Sequence, residues 1–308
     1  IVDNLCNSHI EVLDAIEKIS GRRPQFSKID LRNLAMLKDF FTRNRIDSVI
    51  HFAALKSVNE SVSFPMRYYA NNVLALINLV ECVTEFSVKD FIFSSSCTVY
   101  GEPDYVPVDE NHSVKIPSSP YGATKQMCEK ILKDVSAAAN LNVIALRYFN
   151  PAGAHPSALI GELPLNEPTN LVPVITRNAI GRIKEMIVYG NDYDTHDGSC
   201  IRDFIHVTDV AAAHVLALER LSEKKSAAKF EVFNLGTGKG LSVLEVVKAF
   251  EKTTGQKLNY RIGKRREGDV GKIYSDCKLA NAELKWKAEA TIEDMLTSAW
   301  AWEQKIKS

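Results

Sequence analysis

Short runs rich in β-branched and aromatic residues alternate, through the first half of this chain, with amphipathic stretches of helical length. That alternation is the pattern of a parallel sheet covered by helices on both faces, an α/β fold. Strands are expected near 1–2, 26–29, 48–52, 90–95 and 142–148, and helices near 9–19, 33–44, 66–84 and 120–138. The second helix opens after the capping-type segment Asp30 to Asn33. The strand VIHFAA ends in His51 to Ala54, and FIFSSS ends in Ser94 to Ser96. Ligands of such sheets bind beyond the carboxyl ends of the strands, so polar residues there are site candidates. From Pro151 to about Asn170 the pattern breaks into a Gly- and Pro-rich aperiodic stretch, read as a passage between two lobes. The division expected is residues 1–150 and a smaller α/β lobe over 151–308, some segments of which return to the first. The second lobe is expected to hold LVPVITRNAIGRI as a helix, MIVYG as a strand and HVTDVAAAHVLALERL as a second helix. EVFNLGTG, SVLEVVKAFEKTT and a Trp-rich C-terminal helix follow.

Bulk numbers restrict the function. A chain of 308 residues, 45% hydrophobic, buries a large core, which excludes a disordered tail as its main character. Lys plus Arg and Asp plus Glu each number 38, so no net field holds nucleic acid or an anionic membrane, and an anionic ligand must be bound by local groups. No apolar run approaches the roughly 18 residues of a membrane span, and no secretory signal is seen; a cytoplasmic protein is the expectation. Cys6, Cys82, Cys97, Cys128, Cys200 and Cys277 are scattered, without metal-type spacing to the histidines. Reduced thiols and no metal site are expected.

Ser96 ends a strand, and Tyr121 and Lys125 lie four apart at the start of a helix. A phenol with a pKa near ~10 is a poor base at neutral pH unless a nearby cation favours the phenolate. Spacing of four puts Lys125 on the face of Tyr121, where its ammonium would do this. The YxxxK string alone carries little weight, because Tyr260/Lys264 and Tyr274/Lys278 repeat it without the upstream serine strand.

Context decides for Tyr121. FSSSCTVYG is followed by SPYGATK, and RYFNPAGAHP ends the next strand. IHFAALKSVNESV, YYANNV, GNDYDTHDG, IRDFIHVTDVA, NLGTG and RREGD add to it over nearly the whole chain. With these motifs the chain resembles the sugar-nucleotide epimerases of the extended short-chain dehydrogenase/reductase family, and most of all the UDP-galactose 4-epimerases. The resemblance implies a Rossmann-type doubly wound sheet, NAD as a recycled cofactor and a UDP-hexose substrate. Tyr121 would take the proton of the sugar 4-hydroxyl, Ser96 would steady that oxygen, and Lys125 would lower the phenol's pKa and bond the nicotinamide ribose.

Further positions carry over from the same resemblance. Asp3, with Asn4, would accept hydrogen bonds from the adenosine ribose, which favours NAD over NADP. Asp30 and Leu31 would contact adenine; Phe52, Ala53, Ala54, Lys56, Asn71, Ser94 and Phe149 would line the rest of the dinucleotide. Lys56, Asn150, Asn170, Leu171, Tyr189, Arg202, Arg266, Asp269 and Ile273 would join Ser96 and Tyr121 around the substrate. Arginine suits that task because its planar fork binds phosphate oxygens in pairs. The plainer reading of RREGD is a surface ion pair, and of His51, His206 and Cys97, ordinary packed residues. The helices carrying NNVLALINLVECV and YGATKQMCEKIL would pair across a homodimer.

The sequence also departs from that family. Its opening strand and glycine-rich turn, whose amides hold the cofactor pyrophosphate, precede nothing here: Ile1 falls at the end of a strand. The expectation is a fragment of an active enzyme, with a shortened, cofactor-free product or binding protein as the competing reading and two interior strand edges left unpaired. Ala54 and Asn59 stand where many relatives have glycine, and Ile273 where they vary between a tyrosine and a small residue. A sugar-nucleotide dehydratase would need an acid where Cys97 and Thr98 stand; a decarboxylase is less easily set aside.

Overall fold

The computed structural model describes residues 1–266 and 268–307, the side chain of Lys307 excepted; Glu267 of RREGD lies outside the described residues. The first half runs β1 (Val2–Asp3), α1 (Val12–Ser20), β2 (Ser27–Lys28), α2 (Leu34–Arg43), β3 (Ser48–His51), α3 (Val58–Ser63), α4 (Pro65–Tyr68), α5 (Ala75–Glu85), β4 (Asp90–Ser96), α6 (Pro120–Ala138) and β5 (Asn142–Tyr148). The second runs β6 (Asn150–Ala152), α7 (Leu171–Ala179), β7 (Met186–Tyr189), β8 (Ile201–His206), α8 (Val207–Ser222), β9 (Phe230–Leu235), β10 (Gly240–Ser242), α9 (Val243–Thr254), β11 (Tyr260–Gly263), β12 (Lys272–Ile273), α10 (Lys278–Glu283) and α11 (Ile292–Lys307).

The central sheet is parallel throughout, in the order β3-β4-β5-β9. Because β4 and β5 are covered on both faces, they read as continuous apolar runs. One face packs Phe91, Phe93, Val143 and Ala145 against α2, α5 and α6. The other packs Ile92, Ile144 and Leu146 against Val210, Ala213 and Ala217 of α8. Thus α8 and β9, late in the sequence, complete the first layer system. β1 and β2 form their own parallel pair, and among the described residues β3 has a strand partner only in β4. Ile50 and Phe52 are exposed in and just after β3.

A second core gathers α7, α9 and α11 beside β6 and β8, with Ile175, Val247, Phe250 and Leu296 fully buried. There β8 pairs with β6, β10 and β12, and β7 with β11.

Two expected helices need correction. The one near 66–84 is helical but not uniform: α4 and α5 are joined by a π-helical turn over Tyr69–Leu74. The widened turn frees the Asn72 side chain to bond both backbone groups of Leu55, and such turns concentrate at functional sites. The helix over LVPVITRNAIGRI stops at Ala179, because Gly181 takes a left-handed φ of +84° and Asn178 turns its amide onto Ile183 and Asn259. The strands β6, β10 and β12 have only two or three residues, and β8 and β11 lean on partners distant in the chain, so the sequence pattern does not mark them. Among the described residues no helix is long and apolar enough to cross a membrane.

Candidate active site

The segment SPYG builds the start of α6 by local rules. Ser119 is the N-cap and accepts from the Gly122 amide, and Pro120 fills the first turn where no N–H is needed. Tyr121 and Lys125 therefore project one turn apart toward the end of β4. Tyr121 is 8% exposed and Lys125 4%. The Ser96 hydroxyl, at the last residue of β4, accepts from the Thr98 amide at 3.2 Å and from its hydroxyl at 3.0 Å, and it is close enough to the Tyr121 phenol to act on it. Lys125 Nζ donates to the Ser94 carbonyl at 2.7 Å and sits 5.9 Å from the Tyr121 ring centre.

The three residues meet, but the expected effect of Lys125 on the phenol does not dominate. Burial pushes Tyr121 well above the ordinary phenol value, Tyr148 adds to this, and the Ser96 hydrogen bond opposes it. Burial also draws Lys125 down to about 8. Desolvation disfavours both charged forms, and no hydrogen bond links the pair directly. Ser94 is held from its other side too: its hydroxyl meets His214 Nε2 at 3.0 Å.

The cofactor candidates line up along the carboxyl ends of the parallel strands. Asp3 accepts from the Leu5 amide and the Ser8 hydroxyl at the end of β1. Asn4 donates to Asp30, whose carboxyl the Arg32 guanidinium holds well below the usual range. Leu31 packs against the first core. Phe52 and Ala53 are exposed after β3, Ala54 is half-buried, and Phe52 lies 4.4 Å from the His214 ring. Asn71 sits in the π turn and donates to Asn72. Phe149 is buried after β5. This donor set fits a dinucleotide. The Asp3 carboxylate at the end of β1 can accept from ribose hydroxyls, and Lys125 has two further N–H groups beyond its bond to Ser94.

The substrate candidates form a cleft between the two cores. A cavity of about 140 Å³ is lined by Lys56, Asn59, Cys97, Thr98, Ser118 and Ile273. It joins a larger one of about 380 Å³ lined by Leu171, Val174, Tyr189 and Phe204. Asn150, Asn170, Arg202, Arg266 and Asp269 line both. The ion pair read into RREGD exists, yet as part of the cleft wall: Arg266 grips Asp269 through Nε at 3.1 Å and a terminal nitrogen at 3.0 Å, and Arg202 approaches Asp269 at 3.7 Å. Gly268, at φ +81°, lets this loop close onto Val58 and Ser118.

Glu162 is a site residue that the sequence did not reveal. It accepts from Lys56 Nζ at 2.7 Å and from the Asn170 amide at 2.9 Å, bridging the two lobes across the cleft mouth. It lies in the aperiodic stretch, where no spacing marks it. The plain readings hold elsewhere. His51 is buried and drawn down to about 3, His206 caps α8 by accepting from the Thr208 amide, and burial pushes the Cys97 thiol up to about 12. Among the described residues no group of three His, Cys, Asp or Glu is placed to hold a metal ion.

A family model described as GDP-mannose 4,6 dehydratase matches residues 1–299. The UDP-glucose 4-epimerase of Yersinia enterocolitica is 49% identical over 305 residues, 99% of this chain and 89% of that protein. The one from Drosophila melanogaster is 45% identical, over 98% and 88%. The chain belongs to the UDP-glucose 4-epimerase family. A solved epimerase from Stenotrophomonas maltophila, with bound NAD and formylated UDP-arabinopyranose, superposes with a TM-score of 0.95 at 45% identity, covering 100% of this chain and 90% of that one. The epimerase from Bifidobacterium longum, in complex with NAD+ and UDP, gives 0.95 at 44%, covering 99% and 90%. The dehydratase reading asked for an acid at the positions after Ser96, and there this chain has the buried Cys97 and the half-buried Thr98.

Proposed function

We propose that this chain interconverts UDP-glucose and UDP-galactose by inverting the sugar 4-carbon, with NAD as a recycled cofactor. The observation that carries the reading is the buried set of Ser96, Tyr121 and, one turn on, Lys125, which itself lines neither cavity but is joined through Cys97 and Thr98 to the cleft walled by Arg202 and Arg266. Residues 1–150 would hold the cofactor and 151–308 mainly the substrate, with α8 and β9 serving the first lobe. Asp3, Asn4, Asp30, Leu31, Phe52, Ala53, Ala54, Asn71, Ser94 and Phe149 would hold NAD with Lys125. NAD bound there supplies an acceptor for the hydride at the sugar 4-carbon and a donor that returns it.

The chain's own residues handle the proton and the anion. Burial disfavours the Tyr121 phenolate in the chain alone, and the positive charges of Lys125 and of an oxidised nicotinamide would favour it. In that form Tyr121 takes the proton of the 4-hydroxyl while Ser96 holds that oxygen, and the same phenol gives the proton back to the keto oxygen once the opposite face is presented. Arg202 and Arg266 neutralise the pyrophosphate, and Lys56 turns from Glu162 to the same anion. Leu171 and Tyr189 flank the larger cavity, which suits a flat base; Asn150, Asn170, Asp269 and Ile273 complete the enclosure. A homodimer through α5 and α6 is supported by Ile77 and Met127 on these helices and by Leu74 at the end of the π turn before α5, each more than 40% exposed. A reducing, cytoplasmic setting is supported by six unpaired cysteines.

The test is Tyr121→Phe. Turnover of UDP-galactose is expected to fall roughly 10²- to 10⁴-fold while UDP still binds. Near-normal turnover by the variant would refute the assigned base, and a wild-type protein without turnover would refute the activity.

A further inference from the structure

Two side-chain oxygens in the cleft are buried without a hydrogen-bond partner among the described residues, Asn59 Oδ1 and Asn150 Oδ1. Both residues line both cavities. Neither carboxamide makes any hydrogen bond among the described residues, so each is free to turn about its broad terminal torsion. Such groups are rare, because a buried amide oxygen left unpaired keeps its full desolvation cost. Asn59 is nevertheless held in place by its backbone: it is the second residue of α3, whose N-cap Ser57 accepts from the Glu60 amide.

The chemistry of the missing partner follows from the carboxamide. A hydroxyl satisfies both ends, donating its hydrogen to Oδ1 and accepting from Nδ2. An ionised phosphate oxygen only accepts, so it leaves Oδ1 unpaired, and the two arginines already serve that charge. Location narrows the choice further. The smaller cavity brings Asn59 together with Cys97 and Thr98, which directly follow Ser96, so Asn59 stands where the larger cavity opens toward the reacting end of the cleft.

We infer that Asn59 is a sugar-reading residue, whose carboxamide takes a hydroxyl of the hexose and so favours UDP-hexose over the bare nucleotide. The assignment rests on the proposed function above and adds to it a residue that sets specificity. Burial of one matched hydroxyl–amide pair corresponds to roughly a 3- to 10-fold change in affinity.

Calorimetric Kd values for UDP-glucose and for UDP, on the wild-type chain and on Asn59→Ala, test this. Alanine suits an α3 position, and the UDP value reports whether the cleft is intact. The expected result is a roughly 3- to 10-fold weaker Kd for UDP-glucose with UDP unchanged. Equal weakening of both ligands, or no change in either, overturns the assignment alone. A wild-type chain that binds neither ligand defeats the underlying functional reading and takes this assignment with it.

Discussion

Lys125 donates its ammonium to the Ser94 carbonyl at 2.7 Å, which fastens the helix carrying Tyr121 to the strand carrying Ser96. The position of the phenol thus depends on a cation that burial makes weakly basic, and that cation titrates in an accessible range.

Lys125 has a folded value of about 8, below its ordinary 10.5. Between those values the unfolded chain binds more protons than the folded one, so stability rises with pH; below about pH 8 the cost of burying the ammonium is fully present. Lys125→Met removes this group. From about pH 7 to about pH 10.5 the wild-type chain should gain roughly 3 kcal/mol of stability relative to the variant. Urea titrations at the two ends measure it, and a pH-independent difference would contradict the buried ammonium.

Glu129, one turn beyond Lys125, accepts from Arg147 Nε at 2.9 Å and from its terminal nitrogen at 2.6 Å, and also from Ser95. All three are buried. Glu129→Gln leaves a buried guanidinium uncompensated, so destabilisation of roughly 3–5 kcal/mol is expected, read from the denaturant midpoint. Combining it with Arg147→Met should recover a large part of the loss; additive losses would show that the two do not act as a pair.

Arg266 spans Asp269 with a planar fork and lies 5.4 Å from the centre of the Tyr189 ring. Lysine has neither the fork nor the stacking plane. Arg266→Lys should weaken UDP binding roughly 10- to 100-fold, the worth of a charge-assisted hydrogen bond, while the fold is retained. Calorimetry with UDP decides it, and an unchanged Kd would assign Arg266 to the cleft wall alone.

The local rules that made α6 legible are carried by neighbours in the chain. Ser119, Pro120 and the spacing of Tyr121 and Lys125 specify a helix start and a shared face within seven residues. The apolar runs of β4 and β5 likewise announce burial on both faces, because side chains alternate along a strand whatever lies beyond it. The same signals failed at the π turn over Tyr69–Leu74 and at Ala179, where Asn72 and Asn178 bond partners far from their own helices.

What the amino-acid order alone determined is therefore the parallel α/β architecture, the helix bearing Tyr121 and Lys125, and the strand end bearing Ser96. Only the tertiary structure decided that burial raises the Tyr121 phenol, that Glu162 joins Lys56 to Asn170, and that Asn59 lines the cleft without a partner among the described residues. The reason is physical. Helix caps and strand alternation are settled within a few residues, whereas desolvation and hydrogen-bond satisfaction depend on groups brought together from more than a hundred residues apart, such as Lys56 and Glu162.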